Sequence, residues 1–338
     1  MRKMRNQKTP NEMNHHSGTG KFRSRMLCLL AAALFLFLPG ALGEGRVFLQ
    51  DETEPFPEDA ELLTIRVAGI LGGDCMLMTL GEHSMFVDLG TDKCYPKVRE
   101  LIDAAGIDHV EYFFNTHPHT DHVGGFMPLA KSGFPIGTMF TFFPHDYTGK
   151  CILQKLAMNT AEEYSIPVRD LKTGDTIPFG NAELTAYRVP DKRITRAMND
   201  NDLSATLMVR YGDCSIFLAA DVEVRAQLTL ADEYDDLKAD ILKFPHHGVA
   251  PAKNPFLKKV DPEFVVFTHG STDDTLRAQK QLHAYRKGRM AFAAWGVITL
   301  QSDGHKWIVT QNVYPEKERQ VKFYLREHAW TDTPPKHQ

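Results

Sequence analysis

The chain has 338 residues, 43% of them hydrophobic and 10% aromatic, which supplies a sizeable core and excludes an intrinsically disordered protein. The first 44 residues hold seven of the 39 basic side chains and two of the 43 acidic ones, which leaves 32 against 41 and a net charge of −9 for the rest. That balance excludes a broad basic face that would grip nucleic acid non-specifically, although a local basic groove is compatible with it.

The N-terminus reads as an export segment. Met1–Arg25 is polar and basic, Met26–Leu38 (MLCLLAAALFLFL) is a short apolar run, and Pro39-Gly40 precedes the small-residue stretch Ala41-Leu42-Gly43. This order is that of a secretory signal peptide, with an uncleaved membrane anchor as the other reading. Either one places the rest outside the cytoplasm, secreted or at the cell surface, and a membrane is a partner only if the segment is uncleaved. Residues 1–44 are therefore leader or anchor, 45–60 an acidic, Pro-rich linker, 61–315 a single domain and 316–338 a tail. Outside the leader, Cys75, Cys94, Cys151 and Cys214 are too widely spaced for a cysteine metal site and read as buried thiols rather than disulfides.

Apolar patterning predicts strands at 62–67, 75–79 and 84–87, a helix at 96–105, a strand at 112–115 and a helix at 125–131. A second series follows: a helix at 151–164, strands at 176–179 and 182–189, a hairpin of 203–210 with 215–219, and a helix at 222–230. Buried strands at 241–244 and 264–267, a helix at 275–286 and closing strands at 291–300 and 307–310 complete the set. Two β-rich halves, each followed by helices, imply two sheets packed face to face with helices outside.

The chemistry concentrates in Thr116-His117-Pro118-His119-Thr120-Asp121-His122. Four metal-capable side chains follow a buried strand; alternation turns His117 and His119 to one side, and the next turn carries Asp121 and His122 around a neighbouring point. Imidazole and carboxylate donors suit borderline divalent ions such as zinc, and manganese is compatible with the same set. A polar loop that is merely His-rich has little reason to follow such a strand and precede Gly124-Gly125.

With this HxHxDH element the chain resembles the metallo-β-lactamase superfamily. Asp88 after Met85-Phe86-Val87 matches the family's early strand-ending Asp, Asp221 after Ile216–Ala220 its metal-bridging Asp, and Phe244-Pro245-His246-His247-Gly248 its last His, with either His246 or His247 as ligand. Gly72-Gly73-Asp74, Asn201-Asp202-Leu203-Ser204 and Leu242–Gly248 resemble more narrowly the ComEC-like extracytoplasmic hydrolase domain. The resemblance implies an α/β metallo-β-lactamase fold, a four-layer αββα sandwich of two mixed sheets flanked by helices.

It also implies two divalent metal ions, one on His117, His119 and Asp221, the other on Asp121, His122 and His246 or His247. Asp121 is the expected catalytic group, orienting a metal-activated water or taking its proton. Asp88 and Thr116 would steady the ligand histidines, and Ser204 either touches the site or simply starts a hairpin. One departure stands out: many members carry a further ligand His before the bridging Asp, and here the interval holds only His145, which falls early. Asn201 or Asp202 then lies beside the metals, or serves only as a turn former.

Three functions fit. The first is a phosphodiesterase acting on a small-molecule or cell-envelope phosphodiester, with nucleic acid disfavoured by net charge. The second is a hydrolase of a carbonyl substrate such as a lactone, thioester or β-lactam, of which a β-lactamase is the weaker case because His122 directly follows Asp121. The third is a non-catalytic metal-binding domain.

Overall fold

The structure, a computed structural model, describes residues 45–143, 152–285 and 289–321. The leader, His145, Cys151, His328 and the tail beyond Val321 lie outside them. In chain order the first half contains β1 (Val47–Leu49), β2 (Leu63–Val67), β3 (Cys75–Leu80), β4 (His83–Leu89), α1 (Tyr95–Ala105), β5 (Val110–Asn115), α2 (Thr120–Val123), α3 (Phe126–Lys131), β6 (Ile136–Thr141), α4 (Leu153–Glu163) and β7 (Val168–Asp170). The second half contains β8 (Thr176–Phe179), β9 (Ala182–Tyr187), β10 (Thr206–Tyr211), β11 (Cys214–Leu218), α5 (Val224–Glu233), β12 (Ile241–Lys243), α6 (Asn254–Val260), β13 (Phe264–Phe267), α7 (Leu276–Ala284) and β14 (Met290–Phe292). Then β15 (Gly296–Ser302) and β16 (Trp307–Val313) return to the first sheet.

The sheets run β1-β16-β15-β2-β3-β4-β5-β6-β7 and β14-β13-β12-β11-β10-β9-β8. In each sheet an antiparallel run, β16-β15-β2-β3-β4 and β8-β9-β10-β11, gives way to a parallel one where helices enter: β4 to β7 are parallel to one another, and so are β11 to β14. Helical crossovers impose this, because a parallel neighbour needs a long return path across a sheet face.

Three apolar layers separate four structural ones. Met85, Val87, Phe114, Leu207, Ile216 and Leu218 fill the space between the sheets. Phe86, Phe113, Val98 and Phe126 pack the first sheet against its helices, and Phe217, Leu242, Phe256 and Leu282 do so for the second. Met85 and Val87 face inward while Phe86 faces the helices, so a strand buried on both faces reads as one apolar run. In α1, Pro96 sits in the first turn, Val98, Leu101 and Ile102 form the buried stripe, and Gly106 ends the helix at φ 65°.

Several expectations need correction. The stretch expected as an open linker contributes β1, which pairs in parallel with β16. Strand β6, strand β7 and helix α6 were not foreseen. The closing segment 291–300 is two strands in different sheets, divided by a turn at Ala293–Trp295. Of the cysteines read as buried thiols, Cys75 and Cys214 are buried and Cys94 is half-buried. No helix among the described residues is long and apolar enough to cross a membrane.

Candidate metal centre

The parallel strands of both sheets deliver their carboxyl ends to one edge. Asp88 stands at the end of β4, His117 to His122 follow β5, Asp221 follows β11, His246 and His247 follow β12, and Thr268 follows β13. Open α/β sheets present loops and free backbone groups there, which suits an assembled site.

Tight turns hold these residues. Asp88, Ala220, His246 and His247 all have positive φ, at 54°, 48°, 47° and 54°, a conformation that costs a non-glycine residue roughly 1–3 kcal/mol. Gly125 is required where α3 begins, since a Cβ there would lie 2.2 Å from the Leu89 carbonyl oxygen. The Asp74 N–H donates to the Asp121 carbonyl at 3.0 Å and ties the Gly72-Gly73 turn to the histidine loop.

Asp221 is the hub. Its Oδ2 lies 3.2 Å from both His122 Nε2 and His247 Nε2, 3.8 Å from His246 Nε2 and 3.9 Å from His117 Nε2. Asp121 Oδ2 sits 3.3 Å from His247 Nε2 and 3.9 Å from His122 Nε2. Four tetrahedral donors about 2.0–2.1 Å from an ion would be separated by about 3.3 Å, so His122, His247, Asp121 and Asp221 stand close to the spacing one cation needs. His117 Nε2, His122 Nε2 and His247 Nε2 are buried without a hydrogen-bond partner. Buried polar atoms are normally satisfied, so imidazole nitrogens converging on carboxylate oxygens fit a cation among them.

The far edges of the rings are anchored. His122 Nδ1 bonds Asp88 Oδ2 at 2.7 Å, and Thr116 donates to both Asp88 oxygens, from N at 2.9 Å and from Oγ1 at 2.6 Å. Thr116 Oγ1 also lies 3.0 Å from His117 Nδ1. His247 Nδ1 is 2.9 Å from Thr268 Oγ1 and 3.2 Å from Asp74 Oδ1. Hydrogen-bonding Nδ1 leaves Nε2 as the free donor and fixes the ring plane.

Asp74 and Lys243 were missed from sequence. Asp74, His122, Asp221 and His247 offer buried donor atoms within 4.8 Å of one another, yet Asp74 faces the Nδ1 edges and forms an ion pair with the Lys243 ammonium. We therefore group Asp121 with the Nε2 donors and place Asp74 behind them. Lys243 is fully buried, donates to the Ala220 carbonyl at 2.8 Å and lies 3.5 Å from Asp221 Oδ1. A lysine inside the apolar run Ile241-Leu242-Lys243-Phe244 was the available signal, because a buried ammonium requires an anionic partner.

Burial and charge set the protonation. Burial pulls the His122 pKa down, but Asp221 and Asp88 outweigh it and lift the ring well above the ordinary imidazole range. His247 follows the same pattern, lifted to about 10 against burial, mainly by Asp221. Burial, and after it the neighbouring His122, drives His117 well below the imidazole range. Burial opposes ionisation of Asp221, yet His122 and His247 hold it well below the carboxylate range. Carboxylates converging on imidazoles thus keep their negative charge, the form that attracts a cation.

Of the remaining predicted residues, His119 and His246 are partly exposed, and Asn201, Asp202 and Ser204 are buried. His119 is 37% exposed at the side chain and 3.9 Å from Asp200 Oδ2; His246 is 32% exposed, with Nδ1 3.5 Å from Glu223 Oε1. Asn201 Nδ2 donates to Glu223 Oε1 at 2.9 Å. Ser204 is buried with its Oγ unpartnered, and the next residue, Ala205, donates to the Thr116 carbonyl at 2.9 Å. Asp202 serves structure, accepting from the Ala226 N–H at 3.1 Å. His269 is half-buried beside Gly72.

The family model described as metallo-beta-lactamase superfamily matches residues 68–139. Competence protein ComA of Neisseria gonorrhoeae is 26% identical over 255 residues, 72% of this chain and 33% of that protein. ComE operon protein 3 of Bacillus subtilis (strain 168) is 22% identical over 178 residues, 51% of this chain and 22% of the relative. The chain thus spans about a third of the length of one relative and about a fifth of the other. Among solved structures, the metallo-beta-lactamase fold protein YhfI from Bacillus subtilis aligns with a TM-score of 0.46 at 14% identity, covering 69% of this chain and 96% of that one. Residues 68–139, which carry strands of the first sheet and the histidine loop, thus match the metallo-beta-lactamase superfamily, and the chain is similar to ComA-like competence proteins.

Proposed function

We propose that the chain is an exported, metal-dependent phosphodiesterase whose substrate is a small-molecule or cell-envelope phosphodiester. The observation that carries the reading is the convergence of four histidine Nε2 atoms on the single oxygen Asp221 Oδ2. The superfamily implies divalent metal ions, and these donors fit them. His122, His247, Asp121 and Asp221 would hold an inner ion, with His117 and His119 beside a second, outer one that shares Asp221.

Two such ions, when bound, lower the pKa of water and steady the attacking and leaving oxygens of an in-line displacement at phosphorus. The side chains supply orientation and proton handling. Asp121 is 32% exposed while His122 and His247 are at most 5% exposed, so its carboxylate borders the space where substrate enters. It can take the proton of the attacking water there. Asp88, Thr116 and Thr268 hold the imidazole planes, which keeps the donors fixed through the reaction. The resemblance to ComEC-like hydrolase domains favours the phosphodiester reading, and the apolar run Met26–Leu38 favours export. Zinc is the proposed metal, with manganese compatible with the donor set.

The test is metal content with turnover on the purified full chain, assayed against bis(p-nitrophenyl) phosphate, nitrocefin and a simple lactone. About two metal equivalents and phosphodiester turnover that falls at least 100-fold in Asp121→Asn are expected. Two metals with turnover of only the carbonyl substrates would replace the proposal by the second class. A metal-free, inactive protein would remove both.

A further inference from the structure

The inner group of donors is complete and the outer one is short of an imidazole. His117 Nε2 is fully buried, has no hydrogen-bond partner and lies 3.9 Å from Asp221 Oδ2. Its ring sits 4.6 Å, centroid to centroid, from that of His119. Asp200 Oδ2 comes 3.9 Å from His119 Nε2, with the Asp200 side chain only 11% exposed. We propose that Asp200 is the carboxylate ligand that completes the outer metal position, together with His117, His119 and Asp221. This rests on the two-metal reading of the site.

The loop around Asp200 is built to hold it. Asn199 Nδ2 and Asn201 Nδ2 donate to the two oxygens of Glu223, at 3.1 Å and 2.9 Å, so both neighbours of Asp200 are clamped to one carboxylate. Asn199 Oδ1 accepts from the Asp202 N–H at 2.9 Å, and Asp202 Oδ1 caps the Ala226 N–H at 3.1 Å. Ala205 N bonds the Thr116 carbonyl at 2.9 Å, which fastens the far end of the loop to the histidine segment. Five polar contacts thus fix the backbone on both sides of a carboxylate aimed at His119. Asn201, whose sequence context fits either a place beside the metals or a turn, bonds Glu223.

A carboxylate in place of an imidazole has a chemical consequence. The pair of positions would carry three aspartates, Asp121, Asp200 and Asp221, against the charges of two divalent ions, and the outer donors become harder. Harder oxygen donors favour manganese and magnesium relative to zinc, whereas imidazole favours zinc. The outer position, bordered by the exposed His119 and His246, should also exchange its ion more readily than the buried inner one.

The test measures metal binding by the full chain, by calorimetric titration and elemental analysis, with circular dichroism as the check on folding. Wild type is expected to bind two equivalents of manganese or zinc, Asp200→Asn one equivalent at the concentration that saturates wild type, and Asp200→His two, with zinc favoured over manganese about tenfold more than in wild type. Two equivalents at wild-type affinity in Asp200→Asn would overturn the proposal, as would loss of the outer ion only in His246→Ala. Should Asp200→Asn fail to fold, an unchanged zinc-to-manganese preference in Asp200→His overturns it equally. Fewer than two equivalents in wild type would instead remove the two-metal reading beneath it.

Discussion

Lys243 shows how one buried side chain can organise a site it does not enter. Its ammonium sits between Asp74 and Asp221, both buried, and also donates to the Ala220 carbonyl, whose residue is held at φ 48°. Its approach to Asp221, at 3.5 Å, is on Oδ1, while the four imidazoles approach Oδ2. Removing the charge takes the ammonium away from two buried anions, and breaking one side of a buried pair costs about 3–5 kcal/mol. Lys243→Met should therefore lose stability of that order in urea unfolding, and adding Asp74→Asn should restore part of it. If the two changes simply add, Asp74 and Lys243 are not coupled and the ion pair contributes nothing of its own.

At the scale of elements, the site depends on backbone conformations that only certain residues tolerate. His246, His247 and Gly248 are three successive residues at positive φ, the last at 90°. A Cβ on Gly248 would lie 2.1 Å from Phe267 Cδ1, and Phe267 is itself stacked between Phe244 and Phe292, at 4.9 Å and 5.1 Å. The ring has nowhere to retreat, so Gly248→Ala should destabilise by roughly 1–3 kcal/mol, read as a lower urea midpoint at unchanged slope. A midpoint equal to wild type would show that the turn after β12 can relax without the stack. The same kind of close approach explains what the sequence concealed. Strand β6 is interrupted by Gly137, which reads as a turn signal, yet a Cβ there would lie 2.4 Å from the Glu111 carbonyl oxygen on β5: the glycine serves strand packing. Strand β1 has three residues and β7 is wholly exposed, so neither carries an alternation to detect. The histidine loop was legible because metal chemistry demands its residue types at short spacing. Asp74, Asp200 and Glu223 were not, since single acidic residues far apart in sequence acquire meaning only when the fold brings them to one edge.

On the scale of the whole molecule, the site is where the two sheets are joined. Asp121 and His122 come from the loop after β5 in the first sheet, and Asp221 and His247 from segments after β11 and β12 in the second. A cation held by all four binds both halves at once and has no equivalent in the unfolded chain, so its binding free energy adds to folding stability. At a free metal concentration about 1,000 times the dissociation constant the gain is about 4 kcal/mol, which for a domain of this size corresponds to a rise in melting temperature on the order of 10 °C. Chelation should lower the melting temperature of the full chain by that amount, and restoring zinc or manganese should reverse it. Asp221→Asn weakens the donor shared by both positions, so its melting temperature should respond little to either treatment. Equal chelator sensitivity in wild type and Asp221→Asn would place the stabilising metal elsewhere, and the two halves would then be held by the apolar layer between the sheets alone.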